Sequence, residues 1–247
     1  MDPKNKVALV TGGGTGIGRA TALLLARHGA DVAVNFSQSK DEAEATAREI
    51  ETLGRRAAAI QADVGDNNQA RTLVEKTVAQ FGRLDILINN AGYTEHIDLK
   101  DLASVTDHTW DRTFSVNVKG PFYCARAAAP HMQNAGEGVV VNVSSLAGTL
   151  ARGNSIPYCA SKAALDVVTR ILARVLAPAI RVNAVAPGVV NTRWVDGQTG
   201  FVRAAQMQTP MRRIAEPEDV AEVILHLVTS CNFVTGQILP VDGGMSA

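Results

Sequence analysis

Tyr158 and Lys162 stand four positions apart, a spacing that places both side chains on one face of a helix. A phenol titrates near about 10, and an ammonium beside it favours the phenolate. Such a pair can hand a proton to an oxygen that is gaining charge, or take one back, as the interconversion of a ketone and a secondary alcohol requires. The spacing by itself also suits a core aromatic beside a solvated amine, so the chemistry depends on what else the chain brings to the pair.

A glycine-rich turn is the second chemical feature. Thr11-Gly12-Gly13-Gly14-Thr15-Gly16-Ile17-Gly18 follows the apolar run Val7–Val10 and opens a helical segment. Glycine in that setting lets main-chain N–H groups approach a pyrophosphate, and the helix N-terminus adds a favourable dipole. No Gly-Lys-Ser/Thr follows, which argues against a nucleoside-triphosphate loop. A dinucleotide fold that selects NAD places Asp or Glu at the end of the second strand. Here that place reads Asn35-Phe36-Ser37, while Asp31 lies at the opposite end of the strand and Asp41 is already in the next helix. A carboxylate would repel a 2′-phosphate, so the small polar groups at Asn35 and Ser37 favour NADP(H) over NAD(H). The same residues also suit a plain turn and helix cap.

These groups must be carried by a scaffold, and strand-like and helix-like segments alternate along the whole chain. Buried-strand runs fall at Val7–Val10, Val32–Val34, Ala57–Ile60, Leu84–Ile88, Val139–Val143, Val182–Ala186 and Gln237–Leu239. Helical periodicity covers Gly18–Arg27, Asp41–Leu53, Asn68–Phe81, Asp107–Met132, Tyr158–Leu176 and Glu218–Thr229, with Pro217 suited to a first helical turn. The pattern predicts an α/β fold: one doubly wound parallel sheet of seven strands, helices on both faces, in a single domain over 1–247. Gly188–Glu216 is the one long irregular stretch and is expected to form a lid, with Trp194, Val195, Phe201, Val202 and Met207 on its apolar underside.

Composition narrows the class of function. The 24 basic and 24 acidic residues balance, without blocks of like charge, which argues against nucleic acid or a membrane surface as a partner. No stretch reads as a leader or a membrane span, so a cytoplasmic location is the expectation. Cys124, Cys159 and Cys231 are read as reduced thiols in small core sites. No histidine has metal-ligand spacing, so no metal site is expected; His96 alone is placed near the substrate.

Taken together, Thr11–Gly18, Asp63-Val64, Asn89-Asn90-Ala91-Gly92, Asn117, Ser144-Ser145, Tyr158-Cys159-Ala160-Ser161-Lys162, Pro187-Gly188 with Thr192, and Val241-Asp242-Gly243-Gly244 resemble, in this order, the short-chain dehydrogenase/reductase family. The wording is most similar to the branch of 3-oxoacyl-acyl-carrier-protein reductases and carbonyl reductases. The resemblance covers essentially the whole chain and implies a Rossmann-type sheet, assembly as a homotetramer, and an active site at the carboxyl ends of the strands. In that family the catalytic Ser lies thirteen positions before the Tyr, which selects Ser145 over Ser144 to bind the substrate oxygen. Asn117 matches the residue that holds a proton-relaying water, and Lys162 the one that also grips the nicotinamide ribose. The implied cofactor set places Gly12, Gly14, Thr15, Gly16, Ile17 and Gly18 at the pyrophosphate, and Asn35, Phe36 and Ser37 at the adenosine ribose. It places Asp63 and Val64 at the adenine, Asn89 and Ala91 with adjoining Gly92 at the other ribose, and Pro187, Gly188, Val190 and Thr192 at the nicotinamide amide. Gly14 and Thr15 replace commoner Ala/Ser and basic choices, and the stretch Tyr93–Trp110 is longer than usual. Both departures bear on the substrate more than on the reaction.

Three readings follow. The preferred one is an NADP(H)-dependent oxidoreductase acting on a small ketone or secondary alcohol. A carrier-protein-dependent 3-oxoacyl reductase would need a basic patch, yet Ala127–Gly138 holds no Lys or Arg. A dinucleotide-sensing regulator without catalysis would not need Ser145, Tyr158 and Lys162.

Overall fold

The computed structural model describes residues 1–247. Seven strands, β1 (Val7–Val10), β2 (Asp31–Phe36), β3 (Ala57–Gln61), β4 (Ile86–Asn89), β5 (Gly138–Val143), β6 (Ile180–Pro187) and β7 (Ile238–Val241), form one sheet in the order β3-β2-β1-β4-β5-β6-β7. All six pairings are parallel. The helices are α1 (Gly16–Arg27), α2 (Lys40–Thr52), α3 (Asn67–Phe81), α4 (Asp107–Phe114), α5 (Gly120–Asn134), α6 (Ala147–Leu150), α7 (Ile156–Leu176), α8 (Thr199–Gln208) and α9 (Pro217–Thr229). A parallel sheet covered on both faces has no wet side, which is why its strands read as near-continuous apolar runs.

Alternation along each strand divides the core into two layers. Ala8 and Val10 of β1, with Ile86 and Ile88 of β4, pack under Leu25 of α1, Ile50 of α2 and Ile224 of α9. Val7, Leu9 and Leu87 pack on the other face with Leu73 of α3, Met132 of α5 and Leu172 of α7. The chain leaves β1 toward β2 on one side and returns beside it as β4, with Ala8 paired to both Val32 and Ile86. That reversal opens a crevice beyond the carboxyl ends of the strands, the place where open α/β sheets bind ligands.

Four expectations need correction. β2 runs on through Asn35 and Phe36, so these are strand residues and not the start of a turn. β4 begins at Ile86, because the buried Asp85 side chain accepts the N–H of Val7 at 2.9 Å and pairs with Arg83 at 2.6 Å. The segment expected as one helix over Asp107–Met132 is interrupted by a π-turn at Ser115–Lys119. Pro121 explains the break, since it has no N–H to give the carbonyl of Asn117 one turn back. Finally, the segment Gly188–Glu216 is not wholly irregular: it contains a short 3₁₀ turn, Arg193–Val195, and then α8. α8 escapes sequence periodicity because only Ala205 of its ten residues is buried.

Candidate active site

A cavity of about 1090 Å³ lies in the crevice, lined by the glycine turn, the ends of β2, β5 and β6, the first turn of α7 and the lid. At the glycine turn Gly12 and Gly16 sit at φ +62° and +52°, backbone that favours glycine. A Cβ on Gly14 would come within 2.9 Å of the Ala43 amide nitrogen, and one on Gly12 within 3.1 Å of the Ala91 Cα, so side chains here would strike neighbouring main chain and force the turn open. Gly18 does another job. It does not line the cavity; its bare Cα lets α1 pack against the Gly12 carbonyl and the Asn90 amide, both of which a methyl would strike.

The catalytic candidates converge at the far end. Ser155 caps α7, its hydroxyl accepting the Tyr158 N–H at 3.3 Å, which sets Tyr158 in the first helical turn. One turn on, the Lys162 amine donates to the Val143 carbonyl at 2.8 Å and lies 5.6 Å from the centre of the Tyr158 ring. Ser145 is half-buried and lines the cavity, its oxygen accepting the Ala147 N–H at 3.1 Å. The neighbouring Ser144 is committed elsewhere, since its hydroxyl donates to Asp166 at 2.6 Å. Geometry thus separates two adjacent serines.

Burial governs the charges. It pushes the Tyr158 phenol up to about 12, with the Ser145 hydroxyl drawing it back. It also pushes the Lys162 amine down to about 8, against the attraction of the Asp166 carboxylate. Burial thus holds the phenol above its ordinary value, the opposite direction to the one expected from a neighbouring ammonium. At neutral pH the phenol keeps its proton.

Asn117 is fully buried in the π-turn. Its amide donates to the Tyr93 carbonyl at 2.9 Å and to Ser161 at 3.0 Å, and accepts the Tyr93 N–H at 2.8 Å. Both N–H donors of the side chain are thus used and its oxygen already accepts one bond, so the main-chain carbonyl that Pro121 leaves without its helical donor is the better-placed group for the expected water. Asn35 lines the cavity at the end of β2, but its N–H donors are engaged by the sheet. It bridges strands, donating to the carbonyls of Phe36 at 3.2 Å, Ile60 at 3.2 Å and Ala62 at 3.1 Å, and accepting the Gly12 N–H at 3.3 Å.

Asn89 is turned away from the cavity, donating to Asn142 at 2.9 Å and Pro121 at 3.3 Å. Its neighbour Asn90 lines the cavity and ties the Thr11 and Gly12 carbonyls at 2.9 and 3.1 Å. The asparagine that lines the cavity is therefore Asn90, because consecutive residues at a strand end face opposite ways. Phe36, Ser37, Asp63, Val64, Ala91, Gly92, Pro187, Gly188, Val190 and Thr192 all line the cavity. The Asp63 carboxylate is engaged by Arg112 at 2.7 Å and the Gly65 N–H at 2.9 Å.

Sequence reasoning also missed residues at the open end. Tyr93, Arg152 and Arg193 line the cavity, whereas His96 is exposed and does not. Of the expected lid underside, Trp194, Val195 and Phe201 line the cavity, and Val202 and Met207 do not. Trp194 lies edge-on against the Tyr158 ring, centroids 6.0 Å apart. No cluster of metal-ligating residues is present.

A nucleotide-sized crevice at the strand reversal, with Tyr, Lys and Ser at one end, is the layout of a dinucleotide-dependent oxidoreductase. A family model described as enoyl-(acyl carrier protein) reductase matches residues 12–246. The candidate ketoacyl reductase 2 of the granaticin polyketide synthase of Streptomyces violaceoruber is 44% identical over 245 residues, 98% of this chain and 96% of that one. A 3-oxoacyl-acyl-carrier-protein reductase of Staphylococcus epidermidis is 37% identical, covering 98% and 99%. A short-chain dehydrogenase of Burkholderia cenocepacia, solved in complex with NADP, superposes with a TM-score of 0.93 at 38% identity over 100% of both chains. The chain belongs to the short-chain dehydrogenase/reductase family.

Proposed function

We propose that this protein is an NADP(H)-dependent oxidoreductase that interconverts a ketone and a secondary alcohol, with Tyr158 as the general acid and base. The observation that carries the reading is the convergence of Tyr158, Lys162 and Ser145 at one end of a cavity whose other end is a glycine cradle. The Burkholderia relative holds NADP, which supports the same cofactor here. Gly12, Gly14, Thr15, Gly16 and Ile17 would hold the pyrophosphate; Asn90 and Lys162 serve the nicotinamide ribose, and Pro187 through Thr192 the amide. When bound, the nicotinamide supplies or accepts the hydride.

The protein's own residues handle the oxygen and the proton. Ser145 donates a hydrogen bond to the substrate oxygen, and the protonated Tyr158 phenol delivers its proton as that oxygen gains charge. Lys162, positive below about pH 8, stabilises the resulting phenolate. Reprotonation proceeds from the Lys162 side through a water on the Asn117 carbonyl. Trp194 and Phe201 exclude bulk water and offer an apolar wall to the substrate chain.

The relatives named as ketoacyl reductases support a β-keto acyl compound as the substrate class; assembly as a homotetramer and a cytoplasmic location are proposed with it, the first on the exposed apolar side chains of α5 and α7. A panel of ketones, diketones, sugars and acyl thioesters, assayed separately with NADPH and NADH, tests the reading. Turnover should appear with NADPH; no turnover of any carbonyl would favour a dinucleotide sensor. Tyr158→Phe keeps the ring, so it should fold and bind NADPH while losing about 10²- to 10⁴-fold in kcat. Wild-type kcat in that variant, with a deuteride isotope effect showing hydride transfer to limit the rate, would exclude Tyr158 as the acid.

A further inference from the structure

The carboxyl end of β2 has no cation of its own. It reads Asn35-Phe36-Ser37-Gln38-Ser39, with Thr15 beside it in the glycine turn. Nearby cations are committed: Arg112 to Asp63 at 2.7 Å, Arg19 to Glu49 at 2.5 Å and Lys40 to Glu44 at 3.6 Å. A cation does arrive there from the lid. Arg193 lines the cavity and its Nη1 donates to Ser39 Oγ at 3.0 Å, a contact between residues 154 apart in sequence. Unlike those three, it has no carboxylate within ion-pair distance.

A dinucleotide seated on a glycine turn brings its adenosine ribose to the end of the second strand. A guanidinium anchored to Ser39 stands at that position with donors to spare, and arginine suits a phosphate because its planar fork gives two parallel hydrogen bonds. We propose that Arg193, carried by the lid, is the residue that reads the 2′-phosphate of NADP(H), with Ser39 setting its reach. The proposal rests on the assignment of this cavity to a dinucleotide. Flanking residues extend its meaning. The Thr192 methyl lies 3.1 Å from where a Cβ of Gly16 would be, and Trp194 lies against Tyr158. One turn of the lid thus touches the glycine cradle, the phosphate reader and the proton donor, so capture of the 2′-phosphate also draws the lid over the reacting centre.

Isothermal calorimetry tests this without turnover. Kd is measured for NADP⁺, NAD⁺, adenosine 2′,5′-bisphosphate and AMP on the wild type, Arg193→Ala and Arg193→Lys. Loss of a charge-assisted phosphate contact should weaken NADP⁺ and the bisphosphate roughly ten- to a hundredfold in Arg193→Ala, with NAD⁺ and AMP changed by less than about twofold. Arg193→Lys should recover part of the loss. A full NADP⁺ preference in Arg193→Ala overturns the proposal and leaves the cofactor reading intact. A parallel loss for all four ligands overturns it by assigning Arg193 only to lid order. A wild type that binds NAD⁺ as tightly as NADP⁺ refutes the cofactor reading itself, and this proposal with it.

Discussion

Three main-chain carbonyls, of Phe36, Ile60 and Ala62, meet the one amide of Asn35. Asn35→Asp would replace a donor by a carboxylate facing three oxygens, so its damage falls on the fold before it falls on the cofactor. Urea denaturation without cofactor should show a loss of about 1–3 kcal/mol, the cost of buried groups left unpaired; unchanged stability with weakened NADPH binding alone would return Asn35 to the 2′-phosphate. The pH dependence belongs to this scale too. The Lys162 amine, lowered to about 8 by burial, is charged below that pH and neutral above it, while the Tyr158 phenol at about 12 stays protonated throughout. Carbonyl reduction should therefore fall as pH rises through about 8. A kcat/KM profile flat across that point would show that the Lys162 charge is not required. Residue types were legible in the sequence, orientations less so: the spacing to Tyr158 told Ser145 from Ser144, but Asn89 and Asn90 are neighbours of one kind whose side chains part only once the strand fixes their directions.

At the scale of elements, the glycine turn, α1 and β4 form one packed unit because Gly18 lets the Gly12 carbonyl and the Asn90 amide approach the helix. Gly18→Ala forces a methyl against main-chain oxygen that cannot move without opening the turn. Overpacking of this kind costs about 1–3 kcal/mol, and calorimetry should find NADP⁺ binding weakened by at least about tenfold; unchanged affinity would mean that the turn tolerates a shifted helix. Strands and most helices were legible because apolar runs and 3.6-residue periodicity are properties of local sequence. The π-turn was not, since it follows from Pro121 withholding a donor inside an otherwise helical pattern. It is nevertheless the element that carries Asn117.

Over the whole molecule, alternation of strand and helix specified the sheet, whereas the surface of α5 and α7 could be judged only after folding. Phe122, Val167, Ile171 and Val175 are 38%, 52%, 53% and 64% exposed, a set of large apolar side chains that monomers seldom leave in water. Light scattering at micromolar concentration should give the mass of four copies, and Ile171→Glu with Val175→Glu should lower it. A wild-type monomer would assign these faces to another purpose.

The placement of β1 between β2 and β4 also has a consequence for the order of synthesis. β2 and β3 follow β1 closely on the growing chain, but Val7 waits for Asp85, 78 residues later. Until that residue leaves the ribosome, β1, an interior strand of the finished sheet, is an open edge, presenting unpaired N–H and C=O groups and apolar faces to any other nascent chain. Chains truncated before β4 should thus be prone to self-association that chains extending past Asn89 escape. The strand reversal that creates the cofactor crevice also makes the first third of this protein dependent on the second for its protection.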